Sequence, residues 1–386
     1  WKSAEVEVAA MKFDEVIIVP YTYKKENELI FPENVRIIAP TLGQTLYAKP
    51  KYIKHLFVKS QPQNWLSELL KAVNKGKKAV VDWYLATIYS DLIVRNAIFE
   101  ELKGIHEKDS CVLFFQWTMN NALIVPLLKK WGFKNIVCRM HGFDLYEFRH
   151  NNYVPYKGAI LKVASSCTFI SEHGKEYAQN LYPFIKKKSH VHYLGAMAMA
   201  KNIPDPKQKF HLISISRVVP LKRIELIVEA LLKVNLPIKW THIGDGILLD
   251  EIKEKATKVA ALNPSCEIEF LGWLSPAQIA AYFSQNSINV LILVSETEGL
   301  PVVIMEAFSA GIPVIATNVG GVSELVNNEN GVLLSSNPDC MDLTNAIEQL
   351  AKESTVENQQ RREAVYKTYT NSFNLKKNSE KFINYL

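Results

Sequence analysis

The sequence lacks an apolar run of the 18 or so residues that a membrane-spanning helix needs. Its longest candidate, around Val290 to Val294, is far too short. The chain also does not begin with a basic segment followed by an apolar one, which a signal peptide would require. These absences predict a soluble protein, either in the cytoplasm or held on the inner face of a membrane.

Cysteines are few, odd in number and widely spaced. Because none of the five belongs to a CxxC pair, both a disulfide framework and a zinc site are disfavoured. A reducing cytoplasm is therefore the expected compartment. The five are Cys111, Cys138, Cys167, Cys266 and Cys340.

Several catalytic motifs are also missing. The sequence has no Asp-x-Asp pair, no HExxH, no phosphate-binding loop of the GxxxxGK[ST] type and no GxSxG. Metal-dependent transfer, zinc proteolysis, P-loop hydrolysis and serine-hydrolase chemistry therefore lose support. We expect no metal site.

What is present is an ordinary globular composition with an uneven charge. The 386 residues are 48% hydrophobic and 22% charged, with a net charge of +6. Residues 1–200 hold 27 Lys and Arg against 18 Asp and Glu, or +9, whereas residues 201–386 hold 18 against 21, or −3. Either the first half faces an anionic membrane surface, or both surfaces are simply solvated. We expect no nucleic-acid partner. The compact basic patches are Lys186–Lys188 and the group Lys49, Lys51 and Lys54 beside Tyr47 and Tyr52.

Strand-like and helix-like segments alternate along the chain, most clearly in its second half. Runs such as "FHLISIS", "IKWTHI" and "INVLILV" are separated by amphipathic segments, which predicts an α/β fold of doubly wound parallel sheets. The polar segment "GAMAMAKNIPDPKQKF" suggests a linker. We predict an N-terminal domain over 1–195, a linker over 196–209, a C-terminal domain over 210–370 and a final helix over 371–386.

The start of the chain departs from a doubly wound domain. A helix-like stretch, Ser3–Ala10, precedes the first strand-like run at Val16, where such domains usually open with a strand and a Gly-rich turn. We therefore expect a first strand and its phosphate-facing loop to be absent or to lie upstream of Trp1.

The segment Ser295–Glu324 carries the strongest signal for chemistry. Glu298 follows a buried strand-like run, Gly299 permits close backbone approach, and Pro301 suits the first turn of a helix. Amides near Leu300–Val303, including that of Val302, would face an anion. Glu306, eight residues beyond Glu298, lies further along the same helix. Two carboxylates would thus flank a site large enough for a diphosphate.

Two cations and a histidine follow other strand-like runs. Arg217 and Lys222, in "SRVVPLKRIELIVEAL", would project from the carboxyl edge of a sheet, where ligands of α/β proteins bind. The segment "RMHGFDLYEFR" places His141 at another such edge. Its neighbours Arg139 and Asp144 are weaker candidates. Further donor-site candidates are Gly244 and Gly246 in "GDG", and Leu271, Gly272 and Trp273 in "FLGWL".

Together these segments resemble the retaining GT-B glycosyltransferases of family 4. The Glu-x7-Glu signature of the family matches Glu298 and Glu306, its phosphate clamp matches Arg217 and Lys222, and its His-Gly motif matches His141 and Gly142. The stretch "HGFDLYEF…FISEHGKEYAQNLYP" is also similar to enzymes of bacterial surface-polysaccharide synthesis. The family's Gly-rich first loop has no match here.

The resemblance implies two Rossmann-like domains facing each other across a cleft and a metal-independent transfer without a cofactor. The donor would be a nucleotide sugar, with UDP or GDP as the nucleotide, and the acceptor a glycan, a glycolipid or another hydroxyl. Arg217 and Lys222 would hold the diphosphate, Glu298 the donor sugar and Glu306 the ribose. His141 would contact the donor from the other domain.

Two alternatives remain open. A GT-B nucleotide-sugar epimerase would act without an acceptor. A catalytically inactive binding or scaffold subunit would fit the missing first loop.

Overall fold

The computed structural model describes two compact parts of the chain. The N-terminal unit comprises Lys2–His192 with Ser379–Leu386, and the C-terminal unit comprises Tyr193–Asn378. The division falls between His192 and Tyr193, and the predicted linker over 196–209 lies inside the C-terminal unit. The residues described are 2–20, 31–38, 65–94 and 97–386.

The N-terminal unit is built around short parallel strands. Strands β3 to β6 form a four-stranded sheet in chain order, and β1 and β2 form a separate parallel pair. The strands are β1 (Val16–Ile18), β2 (Val35–Ile37), β3 (Val112–Phe115), β4 (Asn135–Met140), β5 (Ser166–Phe169) and β6 (Ser189–Val191). The helices are α1 (Lys2–Lys12), α2 (Trp65–Lys75), α3 (Lys77–Val94), α4 (Ala97–Gly104), α5 (Val125–Lys130), α6 (Gly142–Leu145), α7 (Lys157–Val163) and α8 (Glu172–Leu181).

The C-terminal unit is an open parallel sheet of six strands with helices between them. The strands are β7 (Phe210–Ile215), β8 (Ile238–Ile243), β9 (Cys266–Gly272), β10 (Val290–Leu293), β11 (Val314–Thr317) and β12 (Gly331–Leu334). The helices are α9 (Ile224–Leu231), α10 (Leu249–Leu262), α11 (Pro276–Gln285), α12 (Val302–Ser309), α13 (Cys340–Ala351) and α14 (Thr355–Thr368). The last helix, α15 (Leu375–Tyr385), begins in this unit and belongs to the N-terminal unit from Ser379 onward.

The strand order of this sheet fixes where a ligand would bind. The order β12-β11-β10-β7-β8-β9 is that of a doubly wound, Rossmann-type sheet. The chain reverses its winding direction between β7 and β10, which are direct neighbours. Ligands of such sheets bind outside the carboxyl ends of the strands at this point. The loops after β7 and β10 are therefore the first places to look for a site.

The predicted strands "FHLISIS", "IKWTHI" and "INVLILV" are confirmed as β7, β8 and β10, although β10 covers only Val290–Leu293 of its run. All four residues of β10 and of β11 are buried, which is why these strands read as continuous apolar runs. The first half is more irregular. The segment "NNALIVPLLKKW" forms a 3-10 turn over Asn120–Ile124 followed by the short α5.

The last helix supplies side chains to the N-terminal unit. The ammonium of Lys12 donates to the carbonyl of Ile383 at 2.7 Å, and the hydroxyls of Ser166 and Tyr385 lie 2.5 Å apart. The ring of Phe382 packs beneath the guanidinium of Arg139 in β4. These contacts explain why residues 379–386 group with Lys2–His192. In the part of the chain that the structure describes, no helix has the length and apolarity to cross a membrane.

Candidate functional site

The loop after β7 carries the predicted cations. Arg217 is exposed just beyond the strand, and Lys222 ends the 3-10 turn Pro220–Lys222. The next residue, Arg223, has a φ of +48° and starts the turn into α9. Both predicted cations therefore stand at the carboxyl edge of the sheet.

Arg223 fixes that loop against the neighbouring strand. Its guanidinium donates to the carbonyl oxygens of Val294 at 2.6 Å and Ser295 at 3.1 Å, just after β10. It also donates to Ser336 at 3.2 Å. The loops after β7 and β10 are thus held together by hydrogen bonds from one side chain. Sequence reasoning missed this residue, whose only signal was a third cation directly after Lys222.

The two loops bring the predicted lysine and glutamate into contact. The ammonium of Lys222 forms an ion pair with the carboxylate of Glu298, although the two residues are 76 positions apart. The two side chains retain only 20% and 13% of their exposure. An ion pair this far from bulk water is screened less than a surface pair. It stands at the reversal point between β7 and β10.

Glycines allow a third loop to close on Glu298. Gly320 has a φ of +57°, and a Cβ there would lie 2.0 Å from the carbonyl oxygen of Glu298. The amide of Gly321 donates to the carbonyl of Gly299 at 2.8 Å. The Glu298–Gly299 backbone is therefore supported by atoms that only glycine lets approach.

Gly244 and Gly246 likewise allow a close backbone approach, in this case to the loop after β7. A Cβ on Gly244 would lie 1.8 Å from the carbonyl of Ser216, and one on Gly246 would lie 2.3 Å from the carbonyl of Val218. The amide of Val218 donates to the carbonyl of Asp245 at 2.9 Å. The two glycines thus pack directly against the loop that carries Arg217.

The segment after β9 adjoins the same edge of the sheet. The amide of Gly244 donates to the carbonyl of Gly272 at 2.8 Å. Gly272 has a φ of +67° with open space around its Cβ direction, and Leu271 is partly buried. Trp273 is 72% exposed. The structure thus places this predicted group beside Gly244, with an indole surface in solvent.

Helix α12 begins where the anion site was predicted, with one correction. Pro301 is the residue before the helix, with extended backbone, and Val302 is the first helical residue. The expectation that Pro301 occupies the first turn was wrong by one position. Leu300 is buried beneath this start. Four residues into the helix, burial raises the pKa of Glu306 above its usual value.

In the N-terminal unit, His141 directly follows β4. Its ring stacks on Trp117 with centroids 4.5 Å apart, and its Nε2 lies 3.1 Å from the side-chain Nε2 of Gln116. Gly142 starts the short α6, for which His141 and Asp144 form a capping box. His141 is therefore oriented by neighbours on both sides.

Asp144 and Arg139 take part in the interior of this unit. Asp144 is fully buried and accepts hydrogen bonds from the amides of His141 and Thr118, each at 2.7 Å. Burial raises its pKa, and these hydrogen bonds act in the opposite direction. Arg139 is also buried, donates to Glu5 at 2.7 Å and lies 3.8 Å above the ring of Phe382. Its guanidinium holds α1 and the end of α15 on β4.

Comparison with known families decides what kind of domain carries the lysine–glutamate pair. Residues 198–369 match the family model of the glycosyl transferases group 1. The C-terminal unit is a group 1 glycosyl transferase domain. The resemblance inferred from the motifs is thereby confirmed at the level of this group, whereas membership of family 4 and the retaining mechanism remain predictions.

Curated relatives of this glycosyl transferase domain match parts of the chain. The O-antigen biosynthesis glycosyltransferase WbnH of Escherichia coli is 29% identical over 133 residues, 34% of this chain and 35% of the relative. N-acetyl-alpha-D-glucosaminyl L-malate synthase of Bacillus anthracis is 26% identical over 197 residues, 50% of this chain and 49% of the relative. The chain thus matches between a third and a half of the length of these relatives.

Solved structures show the fold over a longer part of the chain. Sucrose-phosphate synthase from Thermosynechococcus elongatus matches with a TM-score of 0.71 and 15% identity, over 99% of this chain and 90% of that one. The Anabaena protein HepE, solved with UDP and glucose, matches with a TM-score of 0.59 and 17% identity, over 75% of this chain and 80% of that one. The predicted α/β, GT-B fold class is confirmed by these likenesses.

The sequence also predicts that the protein has no metal site. Among the described residues, no group of three or more His, Cys, Asp or Glu side chains is placed to hold a metal ion. The described edge of the glycosyl transferase domain offers cations, carboxylates and amides instead. Metal independence stays a prediction.

Proposed function

We propose that this protein is a retaining, metal-independent glycosyltransferase that moves a sugar from a nucleotide-diphosphate sugar to a hydroxyl acceptor. The observation that carries the proposal is the Lys222–Glu298 ion pair at the reversal point of a doubly wound sheet. It stands inside the group 1 glycosyl transferase domain. Sheets of this topology bind nucleotides at that point.

The charges of the site suit the departure of a nucleoside diphosphate. Breaking the bond between sugar and phosphate builds positive charge on the ring and negative charge on the leaving group. Arg217 and Lys222 would hold and neutralise the diphosphate, with Gly299, Leu300 and the start of α12 supplying amides. Such preorganised donors stabilise developing charge without a metal ion.

The two carboxylates would recognise hydroxyls rather than phosphate. Glu298 would accept hydrogen bonds from the donor sugar, and Glu306 from the ribose. In the N-terminal unit, His141 would contact the donor sugar or its phosphate. The pocket for the base and the ribose would be lined by Gly244, Gly246 and the Leu271–Trp273 segment.

The relatives indicate which donors and which acceptors should be tested first. Solved neighbours contain UDP together with glucose or GlcNAc, so a UDP-sugar is the first donor to test and a GDP-sugar the second. Relatives named for O-antigen biosynthesis and for alpha-monoglucosyldiacylglycerol synthesis favour a glycan or glycolipid acceptor. An acceptor of that kind would place the protein in the cytoplasm, at the inner face of a membrane.

The decisive experiment measures nucleotide release from UDP- and GDP-sugars with and without candidate acceptors. Release that depends on the acceptor, with the anomeric configuration retained, supports the proposal. Sugar epimerisation without an acceptor would instead support an epimerase, and binding without turnover a scaffold subunit. Chelation of divalent metal ions is expected to leave the rate unchanged.

Variants then tie the activity to the site. Glu298→Gln and Lys222→Ala should each lower kcat by about 100- to 1,000-fold, because each removes a preorganised electrostatic contact. The matched control is Lys258→Ala, which breaks an exposed lysine–glutamate pair on α10. Turnover within a few-fold of wild type in both site variants would remove this pair from the mechanism.

A further inference from the structure

Helix α2 carries one broad apolar face, of which only part is buried. One edge of this face packs inward, because Trp65 stacks on Trp83 of α3 with centroids 6.2 Å apart and Ala72 is buried. Along the other edge, Leu66, Leu70 and Val73 are 56%, 61% and 56% exposed. These three residues are spaced four and three positions apart, so they form one apolar stripe along the helix.

The turn that joins α2 to α3 is basic. Gly76, with a φ of +100°, lies between Lys75 at the end of α2 and Lys77 and Lys78 at the start of α3. All three lysines are exposed.

The acidic side chains of α2 and of the start of α3 do little to offset the positive charge of the turn. Residues 65–82 contain four lysines against Glu68 and Asp82. The carboxylate of Glu68 is buried and paired with Lys71 at 2.9 Å. The exposed charge at the turn is therefore positive.

We propose that this surface, the Leu66–Leu70–Val73 stripe with the lysines of the following turn, docks on an anionic lipid bilayer. Apolar side chains flanked by lysines are the composition of helices that lie in a membrane interface. Each lysine near an anionic surface adds about 1 kcal/mol of attraction. The stripe and turn are hereafter called the hairpin face. The inference deepens the membrane part of the proposed function and does not depend on the transfer reaction.

The hairpin face differs from the basic patches expected from the sequence. In the Lys186–Lys188 patch, the ammonium of Lys188 already donates to the carbonyls of Lys162 at 3.0 Å and Ala164 at 2.6 Å. That patch offers two exposed apolar residues, Leu181 and Phe184, beside two exposed lysines. Lys49, Lys51 and Lys54 lie outside the described residues. The hairpin face combines a three-residue apolar stripe with three exposed lysines, which favours it as the docking surface.

The test is co-sedimentation of the full chain with vesicles, in the absence of any nucleotide sugar. One set of vesicles is phosphatidylcholine alone, and the other is an equal mixture with phosphatidylglycerol. Wild type should pellet with the mixed vesicles only, and less so as salt rises. L66Q/L70Q should lower the partition coefficient at least about tenfold, and K77A/K78A about 25-fold.

Two control variants separate the hairpin face from general surface effects. K186A/K187A removes the same charge from the rival patch, and L262Q/V356Q removes two exposed apolar side chains from the C-terminal unit. Both controls should bind as wild type does. Melting curves of all four variants check folding, and the altered side chains are solvent-exposed.

Several results would overturn the inference. One is equal pelleting with neutral and anionic vesicles, or none with either. Another is a loss in K186A/K187A that matches the loss in K77A/K78A. A third is concentration-dependent self-association that L66Q/L70Q abolishes without any vesicle binding, which would make the hairpin face an interface between two copies. Because no donor is present, failure here leaves the transferase proposal standing, and failure of that proposal leaves this assay unaffected.

Discussion

Gly320 offers a sharp test of how the loop that carries Glu298 is supported. Its Cβ direction points at the carbonyl oxygen of Glu298, with only 2.0 Å available. A real Cβ essentially never comes within 3.0 Å of such an atom, so Gly320→Ala requires a shift of at least 3.0 − 2.0 = 1.0 Å. The obstructing atom belongs to the backbone of Glu298, and so the shift displaces that residue.

The size of the effect follows from that displacement. A misplacement of about 1 Å in a group that positions substrate costs about 100-fold in rate. The left-handed φ adds a strain of about 1–2 kcal/mol for any residue with a Cβ. Gly320→Ala should therefore lower kcat about 100-fold and also lower the melting temperature.

The control is Gly311→Ala, which imposes the strain without the clash. Gly311 has a φ of +73°, and its nearest neighbour, the carbonyl of Arg362, is 3.9 Å from the Cβ position. A backbone strain of about 1–2 kcal/mol should lower the melting temperature of this variant by a few degrees. Its kcat should stay within about threefold of the wild-type value. Nucleotide release and thermal melts measure both quantities. If Gly320→Ala and Gly311→Ala turned over equally fast, the inferred link between the Gly320 loop and Glu298 would be refuted.

Three further predictions concern single side chains. Arg217→Lys should lower kcat/KM about tenfold or more, because an ammonium cannot make a two-pronged contact with a diphosphate; an unchanged value would place Arg217 outside the site. Asp144→Ala should destabilise the fold by about 2–5 kcal/mol in urea unfolding, because it leaves the buried amides of His141 and Thr118 without their acceptor; a loss below about 1 kcal/mol would contradict this. Burial lowers the pKa of His242 to about 4 from 6.5, so the unfolded chain binds more protons between these values and His242 should contribute about 3 kcal/mol to the fall in stability as pH drops through that window. In His242→Asn the fall should be shallower, and an equal fall in both proteins would assign it to other groups.

The sheet of the C-terminal unit could be predicted because its central strands are buried on both faces. Strand β8 covers the predicted run "IKWTHI" from Ile238 to Ile243. A buried parallel strand reads as an apolar run bounded by turn residues, and that signal survives in a single sequence. The motifs after β7 and β10 followed directly from those strand ends.

Helix α3 was not predicted, because its sequence lacks a polar side. Helix α3 has apolar residues on all sides, in "AVVDWYLATIYSDLIV", so its sequence shows no helical period. Its many β-branched and aromatic residues also resemble a strand.

Long-range partners account for most of what the sequence could not show at the site. Arg139 follows the strand-like run "NIVC" and was grouped with His141, but its side chain faces Glu5 and Phe382, which are 134 and 243 positions away. Arg223 was overlooked because its carbonyl partners, Val294 and Ser295, lie more than 70 positions along the chain. A motif predicts which residues lie near the end of a strand. Which of their side chains point into the site depends on the topology of the fold.

The ion pair between Lys222 and Glu298 suggests an order of events in the proposed reaction. Without donor, each charge is compensated by the other in a part of the domain that is mostly shielded from water. A diphosphate brings negative charge that competes with Glu298 for the ammonium of Lys222. Once Lys222 turns to the phosphate, the carboxylate of Glu298 is free to accept hydrogen bonds from sugar hydroxyls. Phosphate binding would thereby prepare the sugar subsite, and a nucleoside diphosphate alone should strengthen the binding of free sugar at Glu298. In Lys222→Ala, where the carboxylate has no lysine partner to release, calorimetry should show that this strengthening is lost.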